Sequence, residues 1–223
     1  MVTATELEST FKEVGNYFGY GNVTAAFAPF RDLKVKWRRS MDFADFSVSD
    51  YLREAPVEVI EGIARTIMSR ICGEEYGYTE EVTEWLTSPE FRAINQSKYI
   101  ERSRQIAVPT DDGILERSYR RLIDEGLIDE IEDLRIFWSK PVGNDDIGQS
   151  SCLMRVAILN PRLKGNDVPQ DVLDYCLLHE LAGIKVGFGL RNDERLEEIS
   201  NVLDSCPNAL TAQSWLEGNC IRV

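Results

Sequence analysis

Residues 175–190 are the longest largely apolar stretch of the chain, and His179, Glu180 and Lys185 interrupt it. So interrupted, the stretch falls short of the roughly 20 apolar residues that a membrane-spanning helix needs. It predicts an interior helix, and no membrane partner is expected. Asn166 and Asp167 stand before it as capping residues and Pro169 falls in its first turn, so the helix is expected to run from there through residue 188. At about 100° per residue, Val172, Cys176, His179 and Gly183 line one stripe, with Glu180 at its edge beside Leu173 and Leu177. A histidine and a glutamate therefore fall on the apolar side of a helix that must be wrapped by the rest of the protein.

The remaining sequence is large enough to do the wrapping. At 223 residues and 43% hydrophobic, the chain suits one domain or two small ones. Its 25 Lys and Arg stand against 38 Asp and Glu, a net charge of −13, which excludes an overall cationic coat for nucleic acid. The start, MVTATELESTFKEV, mixes acids with apolar residues and lacks the basic start and apolar middle of a secretory signal, so a cytoplasmic location is expected. Cys72, Cys152, Cys176, Cys206 and Cys220 are odd in number and scattered, with no CxxC pair, which predicts reduced, partly buried thiols.

Local patterns divide the chain into a helical first part and a mixed second part. Residues 5–18 have helical spacing, residues 19–30 read as a Gly-rich aromatic loop, and residues 33–39 (LKVKWRR) alternate as a strand with one basic, solvated face. Pro56 and Gly73 bracket an amphipathic helix over 57–72. Ser88, Pro89 and Glu90 open a helix through Tyr99 towards Arg104, and a third helix over 115–125 stops at Gly126. The arginine pair Arg120 and Arg121 reads as surface ion pairs. Residues 134–139 and 152–160 then read as strands joined by a turn-rich loop over 141–151. Residues 193–203 and 209–217 read as two short helices.

His179 and Glu180 belong to the segment HELAG. In the functional arrangement HExxH, two histidines one helical turn apart hold Zn²⁺ and the glutamate between them activates the metal-bound water. Here residue 183 is glycine, and His179 is the only histidine of the chain. A lone histidine on an inward helix face reads as a hydrogen-bonded core residue, bonded to Asn192 or to a backbone carbonyl. A carboxylate there needs a partner, with Arg155 a candidate, or a raised pKa.

The order of strand, loop, strand CLMRVAILN and helix VPQDVLDYCLLHELAGI resembles the SprT-like and YgjP-like zincin metallopeptidases. The continuation GFGLRNDERLEEI is similar to the stretch where such sequences carry a third metal-binding histidine. The resemblance implies an α+β, zincin-like fold: a helix-rich N-terminal region over 1–130, and a core over 131–223 in which a small sheet packs on the active-site helix. It implies that His179 matches the first zinc ligand, vestigial here, and Glu180 a vestigial general base. Gly183 and Asn192 stand where the second and third ligands are missing. Cys176 and Asp193 are weak substitutes, and a thiolate ligand would change the chemistry of any bound metal.

Three functional readings follow. The first is a degenerate zincin with no cofactor, binding a peptide or protein partner in the cleft by strand addition along residues 152–160. The second is an active metal-dependent hydrolase, with zinc as cofactor, that uses His179, Glu180 and unconventional ligands. The third, a DNA-associated scaffold, is disfavoured by the charge. The chain has no GxxxxGK[ST], GxGxxG or GxSxG motif, which weakens nucleotide and acyl-transfer readings, and Ser150 and Ser151 have no evident triad partners.

Overall fold

A computed structural model of the chain describes residues 1–74, 77–103, 113–141, 145–189 and 192–222, with the side chain of Asn192 outside the description. The described chain is α+β and divides into two compact units, Met1–Asn95 and Gln96–Val223. The division falls inside a helix, and not at the change of sequence texture near residue 130.

In the first unit, α1 (Ala4–Tyr17) starts at a capping box in which the Thr3 hydroxyl accepts from the Glu6 amide and the Glu6 carboxylate accepts from the Thr3 amide. It packs on a three-stranded sheet of order β1-β3-β2, formed by β1 (Asn22–Ala28), β2 (Val35–Arg39) and β3 (Phe43–Ser49). β1 runs parallel to the central β3, and β2 pairs antiparallel along its other edge. Val23, Ala25, Ala44, Phe46 and Val48 are buried, and the Phe46 and Phe11 rings lie 4.9 Å apart. The expectation of a loop over 19–30 is thus corrected. NVTAAFA lacks the run of large β-branched residues that marks a strand, but its alternation fits the pleat once α1 covers one face. Helix α2 (Val57–Cys72) has the expected bounds, with Pro56 at its N-cap and Gly73 in the left-handed conformation at φ 86°. Then follow α3 (Glu80–Thr87) and α4 (Pro89–Arg102), whose residues from Gln96 belong to the second unit. Residue 104, where that helix was expected to end, lies outside the described residues.

The second unit is built around one helix. α6 (Gln170–Val186) is buried from Val172 to Leu178 and again at Glu180, Leu181, Ala182 and Ile184. It packs on a second sheet of order β4-β6-β5, from β4 (Arg135–Trp138), β5 (Gly148–Ser151) and β6 (Val156–Leu159), and contacts α5 (Ile114–Asp124), α7 (Asn192–Asp204) and α8 (Ala209–Gly218). A helix apolar on nearly every side is stable only when enclosed in this way. Each fully buried leucine on it, such as Leu177 or Leu181, contributes about 1.5–3 kcal/mol.

Two expectations are corrected here. The strand expected over 152–160 is β6 alone, and it is central: all four of its residues are buried, with β4 parallel on one side and β5 antiparallel on the other. A strand paired on both edges cannot accept a third. Among the described residues the edge strands are β4 and β5; β5 lies in the stretch expected to be loop, of which residues 142–144 are outside the described residues. Arg121, expected on the surface, instead clamps a buried acid: its Nε and Nη2 donate to the Asp174 carboxylate at 2.8 and 2.7 Å. Arg120 does make the expected exposed pair, with Glu116.

Candidate functional site

The site residues converge where β5 crosses α6. The carboxyl of Glu180 lies against Gly148: a Cβ there would stand 3.2 Å from Oε1, and only 2.4 Å from the backbone oxygen of Ile158 in the paired strand. Residue 148 is therefore glycine because neither neighbour leaves room for a side chain. Two residues along β5, Ser150 faces the same way, its hydroxyl beside the Glu180 carboxyl. With a side chain only 8% exposed and no Lys or Arg among the described residues within ion-pair distance, Glu180 has its pKa pushed up to about 7 by burial, and the Ser150 hydroxyl opposes that rise. The expected partner, Arg155, is elsewhere: its Nη1 donates to the Glu132 carbonyl at 2.7 Å.

One expected partner of His179, the Asn192 side chain, lies outside the described residues, and His179 itself is only partly buried. Its side chain is 29% exposed, and its buried Nδ1 has no hydrogen-bond partner, lying 4.0 Å from Oε1 of Glu180. Burial lowers its pKa, so the ring is neutral at pH 7.

One turn further along α6, a cation lies against Gly183, the residue that the resemblance matches to a second ligand. The Arg195 Nη2, from the first turn of α7, donates to the Gly183 carbonyl at 2.9 Å. The same nitrogen lies 3.5 Å from where a Cβ on residue 183 would stand, and the Ser150 hydroxyl lies 3.8 Å from that point. The Arg195 charge also moderates the burial-driven rise in the pKa of the Cys152 thiol.

These residues do not fit a zinc ion. Gly183 offers no ligand, and a guanidinium lies against it. Cys176 is fully buried, and burial together with the Glu180 charge pushes its thiol up to about 12, far from a thiolate ligand. Asp193 is exposed on α7. Among the described residues, no three His, Cys, Asp or Glu side chains converge as a metal site requires. The side chain of Asn192 lies outside the described residues.

Sequence reasoning missed Arg195 and Gly148, and weighed Ser150 only as a triad nucleophile. The absence of a side chain at residue 183 was a signal that another group could lie there, but a separation of twelve positions hid which one. Among the described residues, no further strand pairs with the outer edge of β5 over residues 148–151; just before it, the Ile147 amide donates to the Arg222 carbonyl at 2.8 Å. An open cavity of about 720 Å³ lies apart from this cluster, lined by Leu216 and Glu217 of α8 with Asp145, Cys220 and Arg222.

Compared with protein-family models, with curated proteins and with solved structures, the chain matches none. No helix among the described residues is long and apolar enough to cross a membrane.

Proposed function

We propose that this is a zincin-like protein without metal catalysis, which binds an extended peptide or protein segment and does not cut it. The observation that carries the reading is the Arg195 guanidinium held on the Gly183 carbonyl at 2.9 Å, a fixed cation in the place of a metal ligand. An immobile positive charge there repels a second cation and attracts the carbonyl or carboxylate oxygens of a bound chain. The binding element is the open edge of β5, along which a peptide would add as a further strand, with main-chain hydrogen bonds supplying affinity. Glu180, beneath that edge, supplies a carboxyl that is part neutral at pH 7 and can donate as well as accept.

The test measures zinc per chain after dialysis for the natural protein, Cys176→Ala and His179→Ala, and follows an unfolded casein probe by mass spectrometry. Expected are substoichiometric zinc in all three, casein retained on the immobilised protein without new termini, and retention lost in Arg195→Glu. Stoichiometric zinc that disappears in His179→Ala, or casein cleavage that disappears in Glu180→Gln, would overturn the reading in favour of an active hydrolase.

A further inference from the structure

The first unit carries a second strand edge of different chemistry. β2 is the outer strand of its sheet and is exposed along Lys36, Trp37, Arg38 and Arg39. Five of the chain's 25 Lys and Arg fall in residues 31–39, against one of its 38 acids, so a basic strip stands on an otherwise strongly acidic protein. Most cations of such a protein can find a carboxylate, yet on this strip, among the described residues, only Arg31, paired with the adjacent Asp32, and Arg38, paired with Asp45 at 2.7 Å, make an ion pair. Lys34 and Lys36 lie over the Phe30 ring at 5.2 and 5.3 Å, and Arg39 donates to the Tyr20 hydroxyl at 3.1 Å. The register puts Trp37 opposite Phe46 and Arg38 opposite Asp45, so the strand has one face carrying Val35, Trp37 and, at its end, Arg39, and another carrying Lys34, Lys36 and Arg38. Trp37 is 46% exposed at this edge.

We propose that β2 is a docking strand for an extended acidic segment of a partner protein, in which acids alternate with apolar residues. Added beside β2, such a segment places its carboxylates next to Lys34, Lys36 and Arg38 and its apolar side chains next to Val35 and Trp37, with main-chain hydrogen bonds along the unpaired edge. A charged edge ordinarily blocks self-association, and it does so here: a second copy of β2 would set cations against cations. The same charges select an acidic partner. Single-stranded nucleic acid fits less well, because it stacks successive bases on successive aromatic rings, and Trp37 is the one aromatic residue within β2, the Phe30 ring being covered by lysines.

The probe is a fluorescein-labelled decapeptide of alternating Glu and Val, titrated by anisotropy against the full chain at low salt. Binding is expected to weaken at least tenfold in Lys34→Glu/Lys36→Glu, with circular dichroism unchanged, and to be unaffected by the equally charged Lys12→Glu/Arg120→Glu. Methylating alternate peptide nitrogens on the edge-facing side is expected to abolish it. No binding of the probe, equal losses in the two double variants, undiminished binding of the N-methylated probe, or tighter binding of a dT12 oligonucleotide would each overturn the proposal. Because the readout rests on the first unit, Arg195 and zinc content do not enter it.

Discussion

The Nη2 of Arg195 lies 2.9 Å from the Gly183 carbonyl oxygen and 3.5 Å from where a Cβ on residue 183 would stand. A helical glycine and an arginine from the next helix are thus in contact, and the size of residue 183 decides how closely the guanidinium can stand. Gly183→Ala adds a methyl in ordinary contact and lowers the entropy of the unfolded chain. It is expected to stabilise by about 0.5–1 kcal/mol in urea unfolding. Gly183→His drives a ring into the guanidinium and is expected to cost about 1–3 kcal/mol, most of it recovered on adding Arg195→Ala. An additive double variant would show that the two residues do not compete.

Glu180 gives the protein a pH-dependent stability of defined sign. In the folded state its proton is held to about pH 7, against an ordinary value of 4.5. Between these values the folded state binds more protons than the unfolded chain, so the contribution is complete below pH 4.5 and is lost as pH rises through 7. Glu180→Gln removes that loss. At pH 8 the variant is expected to be more stable than the natural protein by on the order of 2–3 kcal/mol, with no difference at pH 4. Urea titrations of both proteins at the two pH values check this, and a constant difference would contradict it.

The Asp174 carboxylate on α6 is clamped by the Arg121 fork and by the Ser118 hydroxyl, all on packed helix faces. Removing the cation leaves a nearly buried acid without its charge partner. Arg121→Met is expected to destabilise by about 2–4 kcal/mol, and Asp174→Asn in the same chain to restore part of it. The coupling energy from the four-member cycle measures the pair directly.

Beside Gly148, the Ile158 carbonyl leaves 2.4 Å for a Cβ. Gly148→Ala is therefore expected to cost more than about 2 kcal/mol and to loosen the pairing of β5 with β6, in contrast to the gain at Gly183. Amide exchange of Ser150 and Ser151 should quicken in that variant while β4 stays protected.

Thiol chemistry should follow burial. Cys72 and Cys220 are exposed, whereas Cys176 is buried with its thiol pushed up to about 12. Ellman's reagent on the native protein at pH 8 is expected to titrate Cys72 and Cys220 quickly, and Cys176 only after denaturation. Fast loss of the Cys176 thiol, read by mass spectrometry, would mean that α6 opens readily.

What local sequence encodes, it encodes well in this chain. The bounds of α2 follow from Pro56 and Gly73, and α6 follows from its apolar periodicity, although Gly187 at φ 81° stops it two residues early. The α+β class, the position of β2 and the absence of a second histidine near HELAG are all legible without coordinates. These features depend on residues a few positions apart, where backbone stereochemistry and helical or strand period act directly.

Contacts between distant residues were decided only by the tertiary structure. β1 and β3 are unremarkable as strings and become strands because each supplies the other's hydrogen bonds under α1. β6 is internal and β4 and β5 are edges because of sheet order, which no local pattern records. Arg155 turns to Glu132, Arg121 to Asp174 and Arg195 to Gly183 because the packing of helices on the sheet brings those groups within hydrogen-bonding distance. The sequence by itself determined which side chains exist to do chemistry, a single histidine and a glutamate on a buried helix. The fold decided that a guanidinium from a residue twelve positions away lies against Gly183, because the packing of α7 on α6 brings it there.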